Sequence, residues 1–398
     1  MVDQPLEARC AISGVGQSDI GRRLGVDPLE LTLDACLAAV VDAGLTLSDI
    51  DGLSTYPGPM GTPRGFTGAT ATDVIDALRL NVNFHDSGIE TAGQLGSVMK
   101  ACLAVGAGLA DHVLCFRSVW EGSAQGSAGR ASVGMGTGGF YASGFMEWYL
   151  PFGSASAACW IAQYAQAHMH RYGTTPEQLA QIPLNGRRNA ALNPKAIYRD
   201  PLTIEDYFAS RMISSPLRLF DCDVPCDGAT AVIVSRRELA EDLPNQPVYV
   251  EAMGTAMRDR PSWDQIHDLT RTVGADAAAQ MWTRTSLTPA DVEVAELYDG
   301  FSYLTLLWLE ALGLCPMGES GAFVEGGHRI GRDGPLPLNT HGGQLSAGRL
   351  HGYGFLHEAC VQLRGDAGER QLASRPKVAA VAAGGGNTCG CMLVSTLS

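Results

Sequence analysis

The sequence has few charged residues, and basic residues are the scarcer kind. Charged residues make up 18% of the 398 positions, whereas hydrophobic residues make up 45%. This balance excludes a disordered chain or a coiled coil and is typical of a globular protein with a large core. Asp and Glu outnumber Lys and Arg by 42 to 28, which leaves a net charge of −14. That charge argues against binding to nucleic acid or to anionic lipid.

Long hydrophobic runs, an N-terminal leader and zinc-binding motifs are also missing. No apolar run reaches the roughly 18 residues that a membrane-spanning helix needs, and the first nine residues do not resemble a secretory signal. Of the 11 cysteines, Cys222 with Cys226 and Cys389 with Cys391 do not combine into a standard zinc spacing. We therefore expect a cytoplasmic protein with reduced thiols, no bound metal and no cofactor of its own.

One order of predicted elements occurs twice, about 240 residues apart. A strand that ends in glycine precedes a helix, and an L-T-x-x-D-[IV] segment then leads into another strand. Because order and spacing agree in both copies, we predict two related α/β halves, residues 1–240 and 241–398. The three elements fall at residues 10–17, 29–43 and 45–53 in the first half and at residues 248–255, 273–285 and 287–297 in the second.

The first half also contains an insertion, which we place at residues 117–220. Its residues 120–145 are rich in Gly, Ser and Ala, a composition typical of a loop, and residues 155–172 predict a helix. A strand at residues 229–235 closes this half. The chain ends with a strand at residues 378–383, a G-G-G-N turn and another apolar run. Strands that alternate with helices predict a layered α/β fold with parallel strand pairing.

The segment from residue 296 to residue 354 contains the densest set of candidate functional residues. It opens with E-L-Y-D-G-F and closes with N-T-H-G-G-Q-L-S-A-G-R-L-H-G-Y-G. Glycine lets the backbone approach a ligand closely, and polar side chains stand beside these glycines. The segment is therefore predicted to line a catalytic or binding site.

These motifs together resemble the thiolase superfamily. The resemblance is closest to the sterol-carrier-type thiolases and to the thiolase-like aldolases of bacterial steroid side-chain degradation. It covers nearly the whole chain and rests on the repeat, the insertion, S-P-L-R-L-F-D-C-D-V-P-C-D-G-A, N-T-H-G-G and the final G-G-G. It implies two related α/β halves in a layered αβαβα architecture, with a loop domain inserted into the first half.

The thiol chemistry of thiolases is missing from the matching positions. A thiolase uses a nucleophilic cysteine, a histidine that activates it and a second cysteine as acid and base. The nucleophile's position falls near Thr91, and the second cysteine's position is Ala382. The G-H-P histidine is replaced by Arg349, and Tyr298 stands in the N-E-x-F or H-D-x-F element. A working thiolase is therefore not expected.

The resemblance also implies that the site for a thioester remains. Backbone N–H groups of Gly384 and near Thr91 match the oxyanion hole, with Gly385 and Asn387 beside them. Such donors stabilise the negative charge of a thioester enolate. An oxyanion hole without a nucleophile suits retro-aldol cleavage, in which a base takes the proton of a β-hydroxyl and the Cα–Cβ bond breaks. The resemblance implies a 17-hydroxysteroid acyl-CoA that yields a 17-ketosteroid and a short acyl-CoA such as propionyl-CoA.

Two side chains of the Y-D-G-F motif are candidates for the proton transfer. Tyr298 is a candidate base, but the pKa of an ordinary tyrosine is about 10, so its phenolate needs a nearby cation such as Arg349. The alternative is a tyrosine whose hydroxyl only anchors a loop. Asp299 either takes a direct role or binds helix N–H groups.

The glycine-rich end of the segment adds further candidates. His351 and His341 titrate near neutral pH and are candidate acids or bases, unless each only locks two glycine turns by hydrogen bonds. Tyr353 is a candidate for proton transfer or for packing. His85 and Asp86, near the former nucleophile loop, are candidates for lining the pocket.

Three cations of the insertion are candidates for binding the CoA phosphates. Arg187, Arg188 and Lys195 match the loop region that lies near CoA in the family, and arginine offers phosphate a fixed fork of donors. The alternative is a solvated surface.

Two rivals to the aldolase hypothesis remain open at this stage. One is an acyltransferase, of the thiolase or acetylphloroglucinol-forming type, that uses a cysteine brought into place by folding. The other is a non-catalytic carrier of acyl-CoA or sterol. The resemblance further implies a homodimer that binds a small partner with an OB-fold and a zinc ribbon, giving a heterotetramer in which any zinc belongs to the partner.

Overall fold

The computed structural model describes residues 4–58, 64–88, 91–126, 146–154, 156–258, 266–385 and 388–397. The strands in these ranges are β1 (Cys10–Gln17), β2 (Gly52–Thr55), β3 (Phe84–Ser87), β4 (His112–Trp120), β5 (Met212–Ser214), β6 (Leu217–Arg218), β7 (Asp227–Arg236), β8 (Val248–Ala256), β9 (Val294–Leu297), β10 (Val378–Gly385) and β11 (Thr388–Ser395). The helices are α1 (Pro28–Asp42), α2 (Ala71–Leu78), α3 (Gly96–Gly106), α4 (Glu121–Gln125), α5 (Met146–Tyr149), α6 (Ala157–Tyr172), α7 (Pro176–Ala190), α8 (Ile204–Ala209), α9 (Arg237–Ala240), α10 (Gly274–Trp282), α11 (Ser302–Ala311), α12 (Ser320–Val324), α13 (Gly343–Ser346) and α14 (Gly352–Arg364).

Nine of the strands form one sheet whose two halves have the same topology. The order is β3-β2-β4-β7-β1-β8-β11-β10-β9. In each half the first strand of the sequence lies at the middle of the sheet, and the last strand lies next to it. The remaining strands then follow toward the edge in reverse order of the sequence, β4-β2-β3 with one exchange in the first half and β10-β9 in the second. In the second half, a single parallel bridge between Ala295 of β9 and Leu338 occupies the place that the parallel pair of β2 and β3 occupies in the first half. The repeat predicted from the sequence is therefore present in the topology.

The L-T-x-x-D segments of the repeat also fold alike. Each forms a short 3-10 turn in which the threonine and the aspartate cap one another. The Thr46 N–H donates to Asp49 Oδ2 at 2.8 Å, and the Thr288 N–H donates to Asp291 Oδ2 at 2.7 Å. The similarity between these segments therefore reflects the same local hydrogen bonding.

The strand pairing is mixed, so the prediction of parallel pairing was wrong for several strands. β2 runs parallel to β3 and β4, and β9 runs parallel to β10. β7 is antiparallel to β1 and β4, and β11 is antiparallel to β8 and β10. Two residues separate β10 from β11. A connection that short joins antiparallel strands, whereas parallel strands need a long crossover.

Three hydrophobic cores show the layering of the molecule. The central core lies between the two half-sheets and contains Val98 of α3, Phe355 of α14, Val232 of β7 and Val394 of β11. A second core joins α1 to the first half-sheet, and a third joins α10 and α11 to the second. The order is helix, sheet, central helices, sheet, helix, which confirms the αβαβα architecture.

The insertion lies between β4 and β7 and contains α4 to α8 with the β5–β6 hairpin. Helices α6 and α7 join the core of the second half, since Ile161 and Leu179 belong to the same cluster as Leu309 of α11. Residues 127–145 of the glycine-rich stretch lie outside the described residues. The domain boundaries at residues 117, 220 and 240 stay predictions. No helix in the described ranges combines the length and the apolar character needed to cross a membrane.

Candidate active site

Tyr298 lies where three segments from both halves meet. It follows β9 directly, and its backbone N–H donates to the carbonyl of Ala382 in β10 at 3.1 Å. Its hydroxyl accepts a hydrogen bond from Gln94 Nε2 at 3.4 Å. The structure thus places Tyr298 between the segment that follows Thr91 and the strand that contains Ala382. These are the positions at which the family carries its two cysteines.

Close backbone packing holds the Thr91 segment against β10. Gly93 has a φ of 59°, and a Cβ atom there would lie 2.8 Å from the carbonyl oxygen of Ala383. Gly384 has a φ of 80°, and a Cβ atom there would lie 3.5 Å from Gly93 Cα. Glycine is required at both positions because φ is positive, and a Cβ atom on Gly384 would also lie 2.6 Å from the carbonyl oxygen of Thr388.

Three of the residues predicted for the oxyanion hole can be placed, and their role stays a prediction. Thr91 is half-buried and begins the turn in which the Gly93 N–H donates to its carbonyl at 2.8 Å. Gly384 and Gly385 are the last residues of β10. Asn387 lies outside the described residues.

The electrostatic surroundings of Tyr298 do not favour its phenolate. Burial raises the pKa of Tyr298, Asp223 raises it further, and Arg349 acts in the opposite direction. Arg349 Nε lies 2.8 Å from Glu121 Oε2 and 3.6 Å from Asp223 Oδ2. The cation expected to stabilise the phenolate is therefore already matched by two carboxylates, neither of which the sequence analysis had singled out.

His351 adopts a backbone conformation that side chains rarely tolerate. Its φ is 55° and its ψ is −156°, a region that is essentially reserved for glycine and costs about 1–3 kcal/mol for other residues. The Nδ1 atom of its imidazole accepts a hydrogen bond from Arg117 Nε at 3.0 Å. An arginine N–H can only donate, so Nδ1 carries no proton and Nε2 carries it. The contact with Arg117 therefore fixes the tautomer of His351.

Arg117, which orients His351, is fully buried in β4. Burial lowers its pKa to about 10. It donates to the carbonyl of Phe66 at 2.7 Å and lies over the Phe66 ring, 4.8 Å from its centroid. Arg117 was not predicted as a site residue, although an arginine inside the apolar run H-V-L-C-F-R-S-V-W is a visible signal of a buried polar contact.

Asp299 contacts a helix terminus. Its Oδ1 accepts the backbone N–H of Gln344 at 2.7 Å, within the first turn of α13. Burial raises the pKa of Asp299 to about 7. The carboxylate fits closely, because a Cβ atom on Gly343 would lie 1.9 Å from Asp299 Oδ2. These contacts match the alternative in which Asp299 binds helix N–H groups, and a direct role stays a prediction.

His341 belongs to a buried ionisable cluster beside the site. Its Nδ1 lies 3.1 Å from Glu296 Oε2, and Thr340 Oγ1 lies 2.8 Å from both Glu296 Oε1 and Glu358 Oε1. Burial opposes protonation of His341, but the hydrogen bond and the charge of Glu296 raise its pKa above the ordinary value. His341 and His351 line one small polar cavity together with Gln344.

Tyr353, His85 and Asp86 do not share this cavity. Tyr353 is fully buried in the central core, and its hydroxyl lies 2.6 Å from Ser97 Oγ of α3. Burial raises its pKa well above the ordinary value. His85 and Asp86 lie on the outermost strand, β3, where Asp86 forms an ion pair with Lys100.

The three cations predicted to bind CoA have different surroundings. Arg187 is buried and donates to Ser346 Oγ at 3.1 Å and to the Asp200 carbonyl at 3.2 Å. Lys195 Nζ donates to the carbonyls that follow β1, at 2.8 and 3.0 Å. Arg188 is exposed and lines an open cleft with His328. Burial lowers the pKa of Arg187 and of Lys195.

The thiols are poorly placed for nucleophilic chemistry. Nine of the eleven cysteines are buried. Cys389 has its Cα near the Gly93 turn, but its side chain belongs to the outer core of the second half, where burial raises its pKa to about 12. A thiol with such a pKa is almost entirely protonated at neutral pH. Among the described residues, no group of three or more His, Cys, Asp or Glu side chains is placed to hold a metal ion.

Comparison with known proteins identifies the family. Residues 255–396 match the family model for a thiolase C-terminal domain-like region. The chain is 36% identical to a steroid side-chain-cleaving aldolase of Thermomonospora curvata, over 90% of this chain and 91% of the relative. It is 34% identical to a 17-hydroxy-3-oxo-4-pregnene-20-carboxyl-CoA lyase of Mycobacterium tuberculosis, over 90% and 92%. A solved Ltp2-ChsH2(DUF35) aldolase superposes with a TM-score of 0.86 at 32% identity, over 98% of both chains. The chain belongs to the thiolase superfamily, in the family of these thiolase-like aldolases.

Proposed function

We propose that the protein cleaves the Cα–Cβ bond of a β-hydroxyacyl-CoA by a retro-aldol reaction. The proposed substrate is a 17-hydroxysteroid with a short acyl-CoA side chain, and the products are a 17-ketosteroid and propionyl-CoA or a similar short acyl-CoA. The names of the two relatives support this substrate class. The observation that carries the proposal is the position of Tyr298, whose hydroxyl is held by Gln94 where a thiolase would present its thiols.

The proposed reaction needs no covalent intermediate and no co-reactant. The phenolate of Tyr298 takes the proton of the β-hydroxyl, whose oxygen becomes the ketone oxygen as the Cα–Cβ bond breaks. The electron pair of that bond passes to Cα and the thioester oxygen as an enolate. Tyr298 then returns its proton to Cα, which restores the phenolate and gives the acyl-CoA. Protons and electrons balance within one turnover.

Two further groups are proposed to act on the thioester side. The N–H groups of Gly384 and near Thr91 bind the enolate oxygen, as an oxyanion hole does. The imidazole of His351 is proposed as the second group, and its contact with Arg117 fixes its tautomer.

The cations of the insertion are proposed to serve two purposes. Arg188, exposed beside an open cleft, contacts a phosphate of CoA. Arg187 and Lys195 already bind Ser346 and the carbonyls that follow β1, so they hold the insertion against the site. We further propose that the chain binds a DUF35-type partner, which the solved Ltp2-ChsH2(DUF35) aldolase supports. The homodimer and the zinc ribbon of the partner are proposed from the resemblance to the family alone.

The test uses the protein purified together with its DUF35-type partner. We expect the 17-hydroxysteroid acyl-CoA to be converted into a 17-ketosteroid and a short acyl-CoA. Chromatography measures the formation of both products. Tyr298→Phe is expected to bind the substrate and to lose at least about a hundredfold in kcat. Absence of any ketone product with the wild-type complex contradicts the proposal, and binding without turnover in both proteins indicates a carrier.

A further inference from the structure

Gln344 leaves one buried donor group without a partner beside Tyr298. The side chain is 1% exposed, and its Nε2 atom has no hydrogen-bond partner among the described residues. A buried amide N–H without a partner costs about 1–3 kcal/mol. Such a group in a site suggests a ligand atom that completes it.

Every other polar group of Gln344 is satisfied, and together these contacts fix its orientation. Its backbone N–H donates to Asp299 Oδ1 at 2.7 Å, and its carbonyl accepts the Val224 N–H at 3.1 Å. Its Oε1 accepts the backbone N–H of His351 at 3.1 Å. Because that N–H can only donate, Oε1 and Nε2 cannot be exchanged. The two N–H bonds of Nε2 therefore point away from the strained turn at His351.

The side chain that carries the unpaired donor also contacts the proposed base, Tyr298. Gln344 lines the polar cavity with His341 and His351, and its side chain is close enough to Tyr298 to oppose the rise in that tyrosine's pKa. The hydroxyl of Tyr298 already accepts a hydrogen bond from Gln94. A substrate hydroxyl between these two side chains would accept a hydrogen bond from Gln344 Nε2 and donate one to the Tyr298 oxygen.

We propose that Gln344 Nε2 binds the β-hydroxyl oxygen of the substrate and stabilises it as its proton passes to Tyr298. This inference rests on the proposed function. Negative charge grows on that oxygen before the Cα–Cβ bond breaks, and a fixed N–H donor stabilises the charge without any reorganisation. The same contact selects acyl-CoA molecules that carry the hydroxyl, because a substrate without it leaves Nε2 unpaired.

The experiment measures selectivity in binding as well as rate. In the Tyr298→Phe complex, which does not turn over, we compare the Kd of the β-hydroxyacyl-CoA with that of its deoxy analogue. With Gln344 present, the Kd of the β-hydroxyacyl-CoA is expected to be about five- to tenfold lower than that of the deoxy analogue. Adding Gln344→Met should abolish the preference and leave the Kd of the deoxy analogue unchanged. An unchanged preference overturns the inference, and equal weakening of both ligands shows a merely structural role.

A second variant separates the donor from the support that Gln344 gives to His351. Gln344→Glu keeps an oxygen for the His351 N–H and removes both N–H donors. Because the new carboxyl is buried without a cation partner, we expect the melting temperature to fall, and we expect kcat to fall about a hundredfold. The control, Gln163→Glu on the exposed face of α6, should match the wild type. Wild-type kcat in Gln344→Glu overturns the inference while leaving the aldolase proposal intact.

A wild-type complex that yields no ketone overturns the aldolase proposal, and the binding comparison still tests Gln344.

Discussion

At the scale of single residues, the site is defined by how the charge around Tyr298 is balanced. Arg349 replaces the histidine of thiolases, but Glu121 and Asp223 together carry one more unit of negative charge than Arg349 carries of positive charge. Arg349 therefore serves mainly to hold Glu121 and Asp223 in place, and it lowers the pKa of Tyr298 only in part. The Gln94 amide supplies a neutral donor to the Tyr298 hydroxyl beside this cluster.

Replacing Asp223 tests this balance. Asp223→Asn removes a carboxylate that raises the pKa of Tyr298 and leaves Arg349 paired with Glu121. If the phenolate is the base, activity rises with pH as Tyr298 loses its proton. The variant should therefore reach half-maximal kcat/KM about one pH unit lower. The pH profile is measured beside Asp276→Asn on the outer helix α10. An unmoved profile, or one displaced to higher pH, contradicts the assignment of Tyr298 as base.

At the scale of elements, the sequence predicted the strands and helices of the repeat and missed the contacts between them. β1, β8 and α1 were predicted almost to the residue because periodicity and glycine mark their ends. The position of Tyr353 could not be predicted, because it depends on α14 beginning at Gly352 and turning the ring toward α3. The contacts of Gln344 with Asp299 and His351 likewise exist only once β9, α13 and α14 have packed together.

The turn that begins α14 gives a prediction about stability and activity. The φ of 55° and ψ of −156° at His351 suit glycine and strain every other residue. His351→Gly should therefore be more stable than His351→Ala by about 1 kcal/mol, while both lose the donor at Nε2 and most of the turnover. Denaturant unfolding and kcat are measured for both. Equal stability of the two variants shows that the backbone there is not strained, and wild-type kcat in either excludes a catalytic role.

At the scale of the whole molecule, the site depends on both halves of the repeat. The first half supplies Gln94 and Arg117, and the second supplies Tyr298, Gln344 and His351. These residues meet because the central helices α3 and α14 pack against strands of both halves. A new chemistry therefore needed changes at a few facing positions and no change in architecture.

The distribution of thiols gives a prediction for the intact protein. Cys159 and Cys222 are partly exposed, and the other nine cysteines are buried, with raised pKa values wherever a shift was found. Iodoacetamide should therefore label at most these two thiols in the folded complex, and turnover should persist. Mass spectrometry gives the labelled positions, and labelling of all eleven in denaturant confirms that the reagent is active. Loss of turnover in step with alkylation of Cys389, or an acyl group trapped on any thiol, contradicts a mechanism based on Tyr298 and favours an acyltransferase.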